Sequence, residues 1–322
     1  MEEPARDEYL PDIPLTDIAL MPNPREVDMP SPSERAGLAP VELADGLCIV
    51  QLSRSDVARY VLACDPRGLN FEQTGYVNCL YAFVRAPASW PPYLDWDPDY
   101  LIRRAISLSR YVVVNAHCSE YSVRMVGAVP GRDERLVPLE NPRREYAFRV
   151  PSGERHWLTQ EDAEALGALL RTYLQVKDRL PKRVQRAIRR CDLSFHTPYA
   201  EDAAVLLTSA FESLFKTGRS GLTWQFGTRL PKLAREVGIT SVTRRQAESF
   251  YGLRSRAVHG APLLVAAQSD ASARLRLMQV ILTRVLRRAI QDSSFRANFR
   301  SAASIEERWP IPPRRKRTTR KG

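Results

Sequence analysis

The stretch "DASARLRLMQVILTRVLRRAIQD" can fold into little other than a helix. Ala271, Leu275, Met278, Leu282, Val285 and Ala289 recur at the spacing of one helical face. A stripe that long has to be buried against partners, and the chain supplies them. "TQEDAEALGALLRTYLQV" carries Ala163, Leu166, Leu169, Leu170 and Tyr173, with Thr159 as N-cap and acids in its first turn. "PYAEDAAVLLTSAFESLF" carries Leu206, Leu207, Ala210, Phe211, Leu214 and Phe215. "TWQFGTRLPKLAREVG", which Pro231 interrupts, and a helix ending in "FYGLRSRAVHGAP" complete the series. Helices of this length and pattern predict an all-α bundle over residues 156–295.

Ahead of the bundle the periodicity changes. "LCIVQL", "YVNCLYAFV", "RYVVVNA" and "YSVRMVGAV" are β-branched or aromatic runs and predict strands. "DPDYLIRRAISLS" has helical spacing at Leu101, Ala105 and Leu108, with Asp97 or Asp99 as N-cap. Residues 41–155 therefore read as an α+β domain. Residues 1–40 hold eight prolines and predict an extended arm. Residues 296–322 predict a disordered basic tail.

The formal charge of +11 points to a polyanionic partner. It is unevenly spread: six of the positive charges sit in the last nine residues, RRKRTTRKG. No apolar run approaches a membrane span, and the acidic start MEEPARDEYL lacks the apolar core of a secretory signal. A cytoplasmic protein without a membrane partner is the expectation. The five cysteines form no CxxC pair, and His117, His156 and His196 are isolated, so no metal site is expected. No glycine-rich phosphate loop, GxSxG elbow or HExxH occurs, and no cofactor is implied.

One residue in this apolar framework is out of place. Ala247, Phe250, Tyr251, Arg254, Ala257 and Val258 fall on one helical face, and Arg254 sits in the middle of it. A charge there needs a carboxylate, a second chain or a bound phosphate. His259 closes the helix, Gly260 suits a left-handed cap, and Pro262 forbids continuation. In a regular helix Arg254 and His259 lie about 140° apart in azimuth and roughly 7.5 Å apart along the axis. Either a structural arginine with a helix-capping histidine or a binding site fits this spacing.

Arg-x4-His at a helix end followed by Gly resembles the signature of the HEPN superfamily. "YGLRSRAVHG" is similar to its Apea-like branch, as are "LLTSAFESLF", with an embedded Glu, and "FGTRLPKLAREVG", with an internal Arg. The resemblance covers roughly 156–292; "IRRAISLSRYVVVNA" is more weakly similar to the segment that precedes such domains. It implies an all-α HEPN-type helical bundle, usually dimeric, and often a metal-independent endoribonuclease of antiphage or toxin–antitoxin systems. Arg254 would then hold the scissile phosphate and His259 would move a proton. Many ribonuclease members carry Asn, Asp or His directly after the Arg, where this chain has Ser255. Other HEPN domains only bind nucleotides or partners.

Further candidates surround this pair. Glu212 could orient Arg254 or His259, or be solvated. Ser255, Arg256 and Arg229 could contact nucleic acid, although Arg229 sits near Leu230 and Leu233 and could join a buried ion pair instead. "KDRLPKRVQRAIRRCD" offers Lys182, Arg183, Arg186, Arg189 and Arg190 as a phosphate-contacting surface or a solvated face, and Arg284, Arg287 and Arg288 could extend it. The expected partners are RNA, a second copy of the chain through the bundle, and a protein partner or antitoxin. The alternative is a noncatalytic binding or regulatory module.

Overall fold

The computed structural model describes residues 17–22, 39–51, 79–85, 98–114, 122–126, 135–138, 158–197, 199–218, 221–260, 263 and 268–312. Two compact units divide the chain, the first closing at Gln175 and the second continuing from Val176. Elements are numbered in chain order among the described residues.

The first unit is built on an antiparallel sheet of order β2-β3-β4-β1-β5-β6. Its strands are β1 (Asp17–Pro22), β2 (Val41–Ala44), β3 (Leu47–Gln51), β4 (Cys79–Arg85), β5 (Ser122–Val126) and β6 (Arg135–Pro138). Asp45 and Gly46, at φ 48° and 74°, make the two-residue turn that joins β2 to β3. The proline-rich arm supplies β1, which lies inside the sheet: Ile18 stands opposite Val84 on one side and Val123 on the other. Pro22 falls at the strand's end, where a missing N–H costs least.

Helix α1 (Pro98–Val112) runs further than the sequence predicts. "RYVVVNA" opens not as a strand but as the last turn of this helix, because Tyr111 is buried and Val113 N–H still donates to Ser109 O at 2.9 Å. Helix α2 (Gln160–Val176) starts as expected: Thr159 N–H and Oγ1 both donate to Asp162 Oδ2 at 2.9 Å. Its expected stripe, Ala163, Leu166, Leu169, Leu170 and Tyr173, is buried. The sequence reading placed α2 at the head of the bundle, but it belongs to the first unit. Arg171 Nη1 donates to Leu43 O at 2.9 Å, and a Cβ on Gly167 would lie 3.3 Å from Glu42 O. The helix backbone therefore lies directly on β2.

The second unit is helical: α3 (Lys182–His196), α4 (Ala200–Phe215), α5 (Leu222–Glu236), α6 (Arg244–Val258), α7 (Gln268–Gln291), α8 (Ser293–Ala297) and α9 (Ala302–Arg308). Helix α4 packs against α3, α6 and α7, and α5 packs against α6. A helix flanked on several sides needs apolar residues around most of its girth, and α4 buries Ala203, Ala204, Leu207, Ala210, Phe211, Leu214 and Phe215. Helix α5 runs through Pro231 without interruption. The lost hydrogen bond is offset by burial of Phe226, Leu230, Pro231 and Leu233 on both sides of it.

The segment after 296 is not a disordered tail as far as Pro312. Asp292 Oδ1 caps α8 by accepting from the backbone of Ser294 and Phe295, both at 2.9 Å. Phe295, Phe299, Ile305 and Trp309 are buried, with Trp309 5.4 Å from Phe299 and 6.4 Å from Phe295 between ring centroids. Three side chains of α5 fasten this strap: Arg229 to Trp309 O at 2.9 Å, Lys232 to Pro310 O at 2.9 Å, and Glu236 to Arg308 at 2.6 Å. The basic run RRKRTTRKG lies outside the described residues.

Candidate functional site

Helix α6 begins with a complete capping box: Thr243 Oγ1 accepts from Gln246 N–H, and the Gln246 side chain accepts from Thr243 N–H. Its start fixes which side chains face inward. Ala247, Phe250 and Leu253 are buried, Tyr251 and Arg254 are half-buried, and Val258 is 59% exposed. The buried face is thus rotated from the predicted stripe. Leu253 takes the core position, and Arg254 stands at the rim rather than in the middle.

At that rim an aromatic series ends in a polar group. Phe211 and Phe215 of α4 meet Phe226 of α5 at 5.9 and 5.3 Å, and Phe226 meets the Tyr251 ring edge-on at 5.6 Å. The ring of Tyr251 is therefore fixed, and its phenol sits where the core gives way to charge. Arg254 Nη1 lies 3.5 Å from Tyr251 Oη, with the guanidinium carbon 5.7 Å from the ring centroid. The Tyr251 phenol is pushed up from its ordinary value, first by burial and then by the charge of Glu212, against an opposing pull from Arg254. A hydrogen bond to Glu212 adds to the rise. Glu212, Tyr251 and Arg254 thus form one cluster across α4 and α6.

Two atoms of the cluster stand out. Glu212 Oε1 and Arg254 Nε are buried and have no hydrogen-bond partner among the described residues. An unmet buried donor on a charged group costs on the order of 1–3 kcal/mol, and Arg229 Nη2 and Trp309 Nε1 are unmet in the same way among the described residues. No ion pair joins Glu212 to Arg254 among the described residues.

His259 ends α6. It occupies the C-cap position, and its N–H donates to Ser255 O at 3.2 Å and Arg256 O at 3.1 Å. Gly260 follows at φ 72°, the left-handed cap that the sequence predicts. The His259 side chain is exposed, and no hydrogen bond or ion pair holds its imidazole among the described residues. Ser255 and Arg256 are exposed beside it.

The remaining candidates divide by what holds them. Arg229 is 1% exposed, and its Nε and Nη1 donate to Trp309 O at 2.9 Å, Phe215 O at 2.6 Å and Thr217 Oγ1 at 2.9 Å. Burial pulls its pKa down against the attraction of Glu306. Arg229 is therefore a structural arginine, not a residue of a nucleic-acid surface. Arg183 Nη1 donates to Lys216 O at 2.8 Å, and Arg190 Nη1 donates to Ser209 O at 2.7 Å and also contacts Ser213 Oγ. Both hold the C-terminal half of α4, and they too leave the proposed basic surface. Burial, then repulsion from Arg186, pulls Arg183 down. Lys182, Arg186 and Arg189 remain exposed in a row on the outer face of α3. Arg288 is tied to Glu236 and Asp292, while Arg284 is exposed.

Tyr251 is the residue that sequence reasoning missed. It was grouped with the apolar stripe, and nothing local pairs it with a glutamate on another helix. Among the described residues no group of His, Cys, Asp and Glu could hold a metal ion, and no helix is long and apolar enough to cross a membrane. His117 and His156 lie outside the described residues. The second unit is a helical bundle with a glutamate–tyrosine–arginine cluster across α4 and α6, and an exposed histidine at the end of α6 that no contact joins to the cluster among the described residues. No family model, curated protein or solved structure matches the chain.

Proposed function

We propose that this protein is a HEPN-type, metal-independent endoribonuclease acting from its helical second unit. The observation that carries the reading is Arg254: a half-buried guanidinium beside Tyr251 and Glu212, with a buried Nε–H that no acceptor among the described residues meets. Such a fork suits two phosphate oxygens. His259, exposed at the C-cap five residues further on, is the residue of this motif whose side-chain type suits proton transfer.

In the reaction, the 2′-hydroxyl of the substrate ribose loses its proton to His259 and attacks the adjacent phosphorus. The bond to the departing 5′-oxygen breaks as that oxygen takes a proton from solvent water, leaving a 2′,3′-cyclic phosphate on one fragment and a 5′-hydroxyl on the other; the proton on His259 then returns to solvent. Arg254 neutralises the charge that gathers on the nonbridging oxygens. Ser255 and Arg256 flank the strand, and the exposed row Lys182, Arg186 and Arg189 adds sequence-independent attraction. Two copies paired through the bundle would bring two such sites together, and an antiphage or toxin–antitoxin role would suit this chemistry.

The test is cleavage of a single-stranded RNA in EDTA by wild type, Arg254→Ala and His259→Ala. Wild type should cut, and both variants should lose about 100-fold or more. Equal, background cleavage by all three rejects the reading. A second reading, noncatalytic RNA binding, is favoured by the exposed imidazole of His259, which no second group orients among the described residues. It predicts salt-dependent binding that His259→Ala leaves intact and no cyclic phosphate product.

A further inference from the structure

We propose that Tyr251 is a positioning residue: its phenol, backed by Glu212, holds the Arg254 guanidinium in the orientation that meets a phosphate. This rests on the RNA-cleaving reading above and adds to it a residue that the motif does not name.

The polarity of the cluster follows from its chemistry. A guanidinium only donates, so at the 3.5 Å contact Tyr251 Oη accepts from Arg254 Nη1. A carboxylate only accepts, so the phenolic proton goes to Glu212. The raised phenol keeps that proton throughout the neutral range, so the order N–H to O, then O–H to carboxylate, does not reverse.

The spacing also matters. A direct pair between Glu212 and Arg254 would occupy the fork that a phosphate needs. The phenol interacts with both, and no ion pair joins the two charges among the described residues, so the carboxylate acts on the guanidinium by way of a neutral hydroxyl. Among the described residues Nη1 alone is engaged, and loosely, which leaves the other face of the fork to a phosphate once the buried Nε is uncovered. The ring itself is held by the edge contact with Phe226, independently of the phenol. Packing and hydrogen bonding can therefore be separated in one substitution: Tyr251→Phe keeps the ring and removes the oxygen.

Two measurements test the proposal on the full chain. The first is cleavage kinetics of Tyr251→Phe against wild type, with the thermal midpoint followed in parallel. Loss of orientation should lower kcat by about tenfold or more with little change in KM or in the midpoint. The second is independent of RNA: the 15N–1H signal of Arg254 Nε, assigned by its absence in Arg254→Lys. It should exchange slowly with water in wild type and merge with the signals of exposed arginines in Tyr251→Phe. Wild-type kcat and a retained slow signal in Tyr251→Phe would overturn the positioning role. If wild type leaves RNA uncut, the cleavage reading fails by itself. The Nε signal then decides the role of Tyr251 alone, lost in support and retained in refutation.

Discussion

Arg229 and Arg254 stand on adjacent, packed helices, and their surroundings are opposite. Arg229 is enclosed, and backbone carbonyls from α4 and from the strap accept its protons. Arg254 sits at a rim, touches one phenol loosely and keeps a buried Nε–H to spare. Both arginines interrupt apolar stripes. Among the described residues the first gives Nε and Nη1 to two chain segments and has Nη2 buried and unmet, while the second gives Nη1 loosely to a phenol and has Nε buried and unmet. Each carries an unmet buried N–H, so the difference lies in how firmly the other donors are held and in how far the residue is exposed.

The sharpest way to break this contrast is to remove each arginine in turn. Arg229→Ala strips the donors from Phe215 O and Trp309 O in a closed site and should cost about 3–5 kcal/mol in urea unfolding. Arg254→Ala should cost under about 1 kcal/mol, because among the described residues its one partner is a phenol at the rim. Equal losses would mean that Arg254 is as structural as Arg229.

The two residues were not equally legible. Helical spacing was enough to mark Arg254 as anomalous, because a charge among Phe250, Tyr251 and Ala257 shows in one dimension. The rotation that put Leu253 in the core did not show, since it depends on α4 and α5. Arg229 looked similar in sequence, yet the carbonyls that enclose it come from Phe215 and Trp309, which no local pattern brings near. The strap was hidden by its own composition: short helices, prolines and a basic end read as disorder, although Phe295, Phe299 and Trp309 were in plain view. Strand β1 was hidden likewise, because its pairing partners are distant in sequence. The basic helix was better encoded than it was read. Arg183 and Arg190 are seven apart on one face, and Lys182, Arg186 and Arg189 lie on another.

A second measurement sharpens the strap side. Trp309→Ala leaves the carbonyl that Arg229 uses but removes the ring packed on Phe295 and Phe299. It should cost about 3 kcal/mol, and the proposed RNA cleavage should be retained at temperatures where the variant is folded. Parallel loss of stability and of Arg254-dependent activity at 25 °C would join the two regions into one.

Gly227 of α5 faces the Glu248 side chain of α6. A Cβ there would meet Glu248 Cγ at 2.6 Å, so Gly227→Ala must push that side chain or the helix aside. The expected cost is about 1–2 kcal/mol, visible as a lowered urea midpoint. Glu248 also pairs with Arg244 at 2.7 Å, and Arg244 lies 3.6 Å over the Trp224 ring, so the displacement has a second partner to disturb. Gly227→Ala should therefore weaken stability more than Glu248→Ala does, since truncating Glu248 frees the space that the methyl group needs.

The smallest effect separates the regions by pH. Asp292 is held down to about 2 from an ordinary 3.8, first by the hydroxyl of Ser294 and then by the backbone N–H of Phe295. A carboxylate depressed on folding contributes stability that is complete above about pH 4 and fades as pH falls toward 2. Its side chain is 33% exposed, so solvent reduces the contribution to about 1 kcal/mol. Tyr251 works in the opposite direction: its raised phenol favours the folded state below its ordinary value near 10 and ceases to do so in stronger alkali. Asp292→Asn should thus remove part of the acid sensitivity between pH 4 and 2 and leave the alkaline limb unchanged. Tyr251→Phe should alter only the alkaline limb. Stability curves from urea midpoints at pH 2–5 and 9–11 give both readings, and a shared shift in either variant would show that strap and rim titrate as one unit.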